Sequence, residues 1–339
     1  MLMGSDATAA KTVGIVMNAR AGKDIRRLAA HGPVPSDMSR IADLQRIIVG
    51  ARSAGAVSIV LPVDGRGLAE RAVEGQPDDV ELLDIAANGT GDDSATAAST
   101  MRELGVGAIV VAGGDGTHRD VARGWRDAPI VALASGTNNA YPQQVEASIA
   151  GAAAGLAVTI EAPFDELVAY QSLVIDLDVE GEVHDIALIS AAVLRDDLGA
   201  ASSLWQIDHV DQVLATVAEP WSIGLSAFAG IVAPTSRTDD RGVLLDLDPK
   251  SPRRITAPIA PGKYVEAGLS SASVVELEQP VAVRGPARFA LDGERAAILA
   301  DDEWAAMTMR RDGPRVIDIR RTFSIAVRQG RFYADPTAD

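Results

Sequence analysis

The first half of the chain alternates short apolar runs with longer stretches in which apolar residues recur every three or four positions. The runs at 12–18, 57–63, 80–86, 107–113 and 129–135 read as strands. Between the first two, 36–55 carries Ile41, Leu44, Ile47 and Ile48 at helical spacing, with Ser36 or Asp37 placed to cap it. Stretches 67–75, 91–105 and 118–125 read as further helices. The second of these opens on Asp92 and Asp93, where the helix dipole favours carboxylates. Strands alternating with helices need crossover connections, which predicts an open parallel sheet covered on both faces. A small-residue helix over 146–158 closes this part.

Past about residue 155 the pattern changes. Residues 170–194 alternate apolar and polar, interrupted by the hairpin signal Glu180-Gly181. The stretch 203–220 reads as a helix, and 242–248, 271–285, 287–299 and 313–335 read as short strands between turn residues. The expected architecture is an α/β N-terminal domain with a parallel sheet (11–155) followed by a mainly β sandwich domain (156–325). A tail, 326–339, packs back on the first domain. Neither an internal repeat nor a low-complexity tract is present.

Composition narrows the function. A chain of 339 residues suits two domains, and with aromatics at 4% their cores must be built from Ala, Val, Ile and Leu. The formal net charge of −16 offers no basic surface for nucleic acid or anionic lipid. It does not exclude a phosphorylated small molecule, whose site needs only a few local cations. Zero cysteines exclude disulfides and zinc–thiolate sites. The opening MLMGSDATAAK lacks an apolar signal core, and no apolar run reaches about 18 residues. The expectation is a cytoplasmic protein with no nucleic-acid partner and no membrane.

Ligands of open α/β sheets bind beyond the carboxyl ends of the strands. Asn18, the loop Gly113-Gly114-Asp115-Gly116-Thr117 and the loop ASGTNNAYP (134–142) each follow a strand and so share that edge. Glycines let backbone N–H groups approach an anion, and a helix N-terminus just beyond adds partial positive charge. The alternative for Asp115 is a helix cap in a tight turn. Three glycines around one carboxylate after a buried strand favour a phosphate site. Thr137, Asn138 and Asn139 offer amide and hydroxyl groups suited to ribose or phosphate oxygens, or form an ordinary loop with an Asn cap on the following helix. Arg20, Lys23, Arg26 and Arg27 concentrate positive charge beside Asn18 and suit a polyanionic donor, or form a solvated helix face. Asp292-Gly293 is most simply a hairpin turn; Asp292 and Glu294 matter if the second domain brings them over the glycine loop.

Common motifs are absent. The P-loop fails at Gly22-Lys23-Asp24, the dinucleotide fingerprint fails at GTGDDS and GVGAIV, and the nucleophile elbow fails around Ser226. His31, His118, His184 and His209 lack metal-ligand spacing and read as solvent or packing residues.

GGDGT (113–117), GTNNAYP (136–142) and LDGE (291–294) resemble motifs of the superfamily that holds NAD kinases, diacylglycerol kinases and sphingosine kinases. With NARAGKDIRRLAAH, GGDGTHR, GLSAFAG, APIAPG and ALDGER added in order, nearly the whole chain is similar to the ATP-NAD kinase-like family, in its acetoin-catabolism X branch. The resemblance implies an active site in the cleft between an α/β domain and a β-sandwich, with ATP or polyphosphate as donor and Mg2+ as cofactor. It makes Asp115 the carboxylate acting on the acceptor hydroxyl or its metal. Gly113, Gly114, Gly116 and Thr117 hold the donor phosphates, and Asn18 with Thr137, Asn138 and Asn139 lines the donor side. Asp292 and Glu294 supply a metal contact or secondary acid/base, and a homo-oligomer is implied. NAD kinases carry an Asn-Glu pair on an early strand of the second domain; Ile189 and Ser190 fall there in this chain, which argues against NAD as acceptor. A lipid or polyol kinase, or a nucleotide-binding regulator without catalysis, are the alternatives that the same motifs allow.

Overall fold

The computed structural model describes residues 11–19, 36–136, 139–194 and 207–333. Strands β1 (Thr12–Met17), β2 (Ser58–Pro62), β3 (Val80–Leu83), β4 (Ala108–Gly113) and β5 (Pro129–Ala134) form a parallel sheet in the order β3-β2-β1-β4-β5. The side chains of β1, β4 and β5 are buried on both faces, which explains their uninterrupted apolar runs. The helices Asp37–Ser53 and Ala147–Ala157 cover one face through Ile41, Leu44, Ile47, Ile48, Ala150 and Ala154. Ser36 caps the first of them by accepting from Ser39 N at 3.1 Å. The helices Gly91–Glu103 and Asp115–Gly124 cover the other face.

Two later segments extend this sheet. β6 (Val168–Gln171) and β18 (Arg315–Ile317) complete the order β3-β2-β1-β4-β5-β18-β6; β18 runs parallel to β5 and antiparallel to β6. The chain therefore returns to the first sheet at Arg315, inside the stretch that the sequence pattern assigns to the second unit. The two covalent crossings lie side by side: Ser172 N donates to Pro314 O at 2.9 Å, and Gly313 N donates to Ser172 O at 3.1 Å.

The second unit is a β-sandwich. One sheet has seven strands in the order β12-β13-β11-β10-β9-β15-β16, the other four in the order β14-β17-β7-β8. The large sheet comprises β9 (Ser190–Leu194), β10 (Val210–Ala215), β11 (Arg241–Leu247), β12 (Arg254–Ala260), β13 (Lys263–Glu276), β15 (Ala287–Leu291) and β16 (Glu294–Leu299). The small one comprises β7 (Val174–Val179), β8 (Glu182–Ala187), β14 (Val281–Arg284) and β17 (Trp304–Arg310). Ile175, Leu177, Met307 and Met309 of the small sheet meet Val193, Leu214, Phe289 and Leu291 of the large one. The helix Leu225–Val232 covers the outer face of the large sheet with Phe228.

Two elements differ from the sequence pattern. Within 203–220, read as a helix, Val210–Ala215 is a strand preceded by a short 3-10 turn, Ile207–His209. It lies between β9 and β11, so Val210, Val213, Leu214 and Ala215 are all buried, and a strand buried on both faces loses its alternation. Within 313–335, read as strands, only Arg315–Ile317 is one among the described residues; Ile319–Arg328 is a helix. Asp318 caps that helix by accepting from Arg321 N at 2.9 Å, and Thr322, Ile325 and Ala326 form its buried stripe. No helix among the described residues is long and apolar enough to cross a membrane.

Candidate active site at the carboxyl edge of the first sheet

β1, β4 and β5 each end in a loop, and the three loops are joined. Asn18, just past β1, donates its Nδ2 to Thr117 Oγ1 at 3.1 Å. Ser135 N donates to Gly113 O at 3.1 Å. Gly136 lies so close to the glycine loop that an added Cβ would stand 2.5 Å from Gly114 Cα, inside van der Waals contact. Gly113 leaves room for the Thr117 side chain in the same way. The glycines in the motif thus let two loops touch backbone to backbone.

Asp115 is the first residue of the helix Asp115–Gly124 and is 9% exposed. The helix N-cap position is Gly114, not Asp115. The Asp115 carboxylate reaches across to the β5 loop, where its Oδ1 accepts from Tyr141 N at 2.8 Å. A turn-capping aspartate would bind the N–H groups of its own helix; this one binds a residue of the neighbouring loop.

Asn139 closes its own loop. Its Oδ1 accepts from Gly136 N at 3.0 Å and its Nδ2 donates to Gly136 O at 2.8 Å. Thr137 and Asn138 lie outside the described residues, as do Arg20, Lys23, Arg26 and Arg27.

The second unit reaches this edge with the turn that joins β15 and β16. Asp292 and Gly293 have φ of 49° and 86°, the two-residue hairpin geometry expected of Asp-Gly. The Asp292 carboxylate is buried, with Oδ2 accepting from Leu188 N at 2.7 Å and Oδ1 from Ile189 N and Ser190 N at 2.8 and 2.9 Å. Burial pushes its pKa above the ordinary carboxylate value, and the three N–H donors oppose that rise. Both oxygens being engaged by main chain, Asp292 has the surroundings of a structural clamp rather than of a metal ligand or proton carrier. Glu294 is different. Its side chain is 49% exposed, its Oε2 lies 3.4 Å from Arg119 Nη2, and its Oε1 stands 3.0 Å from where a Cβ on Gly116 would be. The hairpin therefore hangs a half-exposed carboxylate over the glycine loop.

His118, Arg119, Asp120 and Tyr141, none of them a candidate site residue in the sequence, hold this arrangement. Arg119 is buried and donates from Nη1 to Leu291 O at 2.9 Å, fixing the hairpin onto the helix. Its neighbour Asp120 is buried with Oδ1 outside hydrogen-bond geometry, 3.5 Å from Arg119 and Arg123. Desolvation lifts its pKa to about 6, against the pull of Arg119. His118 is fully buried; its Nδ1 lies 2.9 Å from Gly114 O, and its ring meets that of Tyr141 at 5.1 Å. Burial lowers its pKa to about 4, so near neutral pH it is an uncharged donor to the glycine loop. Tyr141 Oη and Ser172 Oγ are 2.6 Å apart. No sequence periodicity marks Arg119, since Leu291 and Glu294 lie on other elements; Tyr141 lies within ASGTNNAYP but is hidden by its amide-rich neighbours.

Leu188, Ile189 and Val217 pack with Ala140 and Tyr141 into one apolar cluster that also takes in Val16 and Val316. Ile189 and Ser190 are 3% and 6% exposed. Among the described residues no group of three or more His, Cys, Asp or Glu is placed to hold a metal ion.

The two-unit architecture, with a GGDGT loop at the carboxyl edge of the first sheet, defines an NAD kinase-like fold. The profile of the ATP-NAD kinase N-terminal domain matches residues 13–158, and that of the acetoin catabolism protein X C-terminal domain matches 173–312. The second match leaves out β6 and β18, the strands that the first sheet claims. The chain is 33% identical to acetoin catabolism protein X of Cupriavidus necator over 331 residues, 93% of this chain and 92% of that protein. Among solved structures, yeast NADH kinase complexed with NADH superposes with a TM-score of 0.53 at 12% identity, over 97% of this chain and 89% of its own. The chain belongs to the ATP-NAD kinase-like family, in the branch of acetoin catabolism protein X.

Proposed function

We propose that the chain is a small-molecule kinase that moves a phosphoryl group from ATP or polyphosphate to a hydroxyl of NAD or a related metabolite, linked to acetoin catabolism. One observation carries the reading: Asp115, Asn18 and Thr117 are gathered at the N-terminus of the helix Asp115–Gly124, with Glu294 above them. A helix N-terminus with glycine N–H groups is a seat for phosphate, and a carboxylate beside it can take a proton. In the reaction the acceptor oxygen bonds to the terminal phosphorus while the bond from phosphorus to the leaving phosphate breaks. The hydroxyl proton passes to Asp115.

The residues fit a magnesium ion carried by the donor phosphates and touched by one or two carboxylates, which is how such ions are usually held. Asp115 and Glu294 are the residues that would hold it, and its chemistry is to neutralise charge on the phosphates. The burial of Ile189 and Ser190 favours an acceptor smaller than, or different from, NAD, because a packed apolar wall offers no polar partners to a base. The same burial supports a second reading, a regulator that binds nucleotide without turning it over.

The test is a phosphoryl-transfer screen with ATP and polyphosphate against a panel of hydroxyl metabolites that includes NAD, run beside Asp115→Asn. Transfer that the variant lacks supports the kinase. Thermal stabilisation by Mg-ATP without transfer to any acceptor supports the regulator instead.

A further inference from the structure

Arg237 lies in the loop between the helix Leu225–Val232 and β11, and no part of it belongs to a recognised motif. Its guanidinium forms a fork on two sides. On one, Nε and Nη2 face the two carboxylate oxygens of Glu219 at 3.2 and 3.4 Å. On the other, Nη1 donates to Tyr141 O at 2.7 Å and to the Tyr170 hydroxyl at 3.0 Å, and Nη2 donates to Ala140 O. The arginine thus grips two consecutive carbonyls of the β5 loop from the second unit. Tyr141 is the residue whose N–H donates to Asp115. Holding the carbonyls of residues 140 and 141 fixes the peptide planes on both sides of Tyr141, and with them the direction of that N–H.

We infer that Arg237, set by Glu219, is a positioning residue: it aims the Tyr141 N–H at Asp115 and so fixes the orientation of that carboxylate at the phosphate seat. The inference deepens the kinase reading and rests on it for its catalytic meaning, though the geometry itself does not depend on turnover. Lysine cannot reproduce the grip, because a point charge lacks the planar fork that reaches Glu219 and two carbonyls together.

The test compares the Tyr141 amide of the full-length, isotopically labelled chain, by its chemical shift and its hydrogen-exchange rate at one pH, in wild type, Arg237→Gln and Arg237→Lys. In Arg237→Gln the Tyr141 amide should move and exchange at least tenfold faster while the amides of β4 stay in place, and Arg237→Lys should fall between. The same shift and exchange rate in wild type and Arg237→Gln overturn the inference. If Arg237→Gln does not fold, Arg237→Lys keeps the charge and carries the same comparison. Where the screen has found an acceptor, Arg237→Gln should lower kcat by roughly tenfold to a hundredfold with the donor KM unchanged, as misplacement of a reacting group does. Equal kcat in wild type and Arg237→Gln overturns it. A wild type that transfers no phosphoryl group removes the kinase reading, and the Tyr141 amide comparison still decides the role of Arg237.

Discussion

Asp115 and Tyr141 are 26 residues apart in the chain and meet at 2.8 Å, carboxylate oxygen to backbone N–H. The bond ties the end of β4 to the loop after β5, and it gives the motif aspartate a structural partner beside its proposed chemistry. An asparagine at 115 still presents an oxygen to Tyr141 N–H but cannot take a proton. Asp115→Asn should therefore keep the fold while transfer falls by about 10²- to 10⁴-fold. Thermal unfolding and the transfer assay, run on the same preparation, check both halves.

Asp292 predicts the opposite division. Its carboxylate accepts three main-chain N–H groups, and alanine would leave all three buried without partners. Asp292→Ala should cost on the order of 3 kcal/mol or more of stability, read as a shift of the urea midpoint. Any loss of transfer should track the unfolded fraction. A folded Asp292→Ala without transfer would instead place Asp292 in the chemistry.

The buried His118 sets a pH dependence. Its folded pKa is about 4 against an ordinary 6.5, so the unfolded chain binds more protons between those values. Stability from this group is present above pH 6.5 and is lost as pH falls toward 4, by at most about 3 kcal/mol. His118→Gln should flatten that part of the profile, measured as the difference in urea midpoints of the two proteins from pH 7 down to 4.5.

Asp120 acts with the reverse sign. Its folded pKa is about 6 against an ordinary 3.8, so the folded chain holds a proton that the unfolded chain has released. The stability it confers is full below about pH 3.8 and is lost as pH rises through about 6, again by at most about 3 kcal/mol. Asp120→Asn should thus be more favourable at pH 8 than at pH 5, each compared with wild type at the same pH. Equal effects at the two values would show that Arg119 and Arg123 hold the carboxylate ionised throughout.

The contact between Gly136 and Gly114 leaves no room for a methyl group, and the atom opposed is backbone, which cannot swing aside. Gly136→Ala should destabilise by roughly 1–3 kcal/mol and separate the two loops. Loss of the Tyr141 amide shift would report that separation.

The parallel sheet, its edge and the loops at Asn18 and Gly113–Thr117 were legible in the sequence because their determinants are local: a buried apolar run, then glycines, then a helix start. The hairpin at Asp292-Gly293 was legible for the same reason, but the target of its carboxylate was not, since Leu188–Ser190 lie on another strand. Arg237 carried no signal at all. Its partners Ala140 and Tyr141 are 97 and 96 residues away, and it stands among ordinary charged loop residues. Val210–Ala215 was misread because a central strand has no exposed face to supply alternation. The helix Ile319–Arg328 was misread because Phe323, Ile325 and Val327 imitate a strand's alternation in a segment whose true stripe is Thr322, Ile325 and Ala326.

β1 and the helix Ile319–Arg328 both belong to the first unit, and the sandwich hangs from it by the paired crossings at Ser172 and Gly313. Mechanically, a pull applied between the two ends of the described chain would load the parallel sheet, beginning at β1 and β18, and leave the sandwich slack until that sheet had given way. Cutting at residue 158 would not release an independent first unit, because the fragment would lack β18 and β6 and would bare the edge of β5.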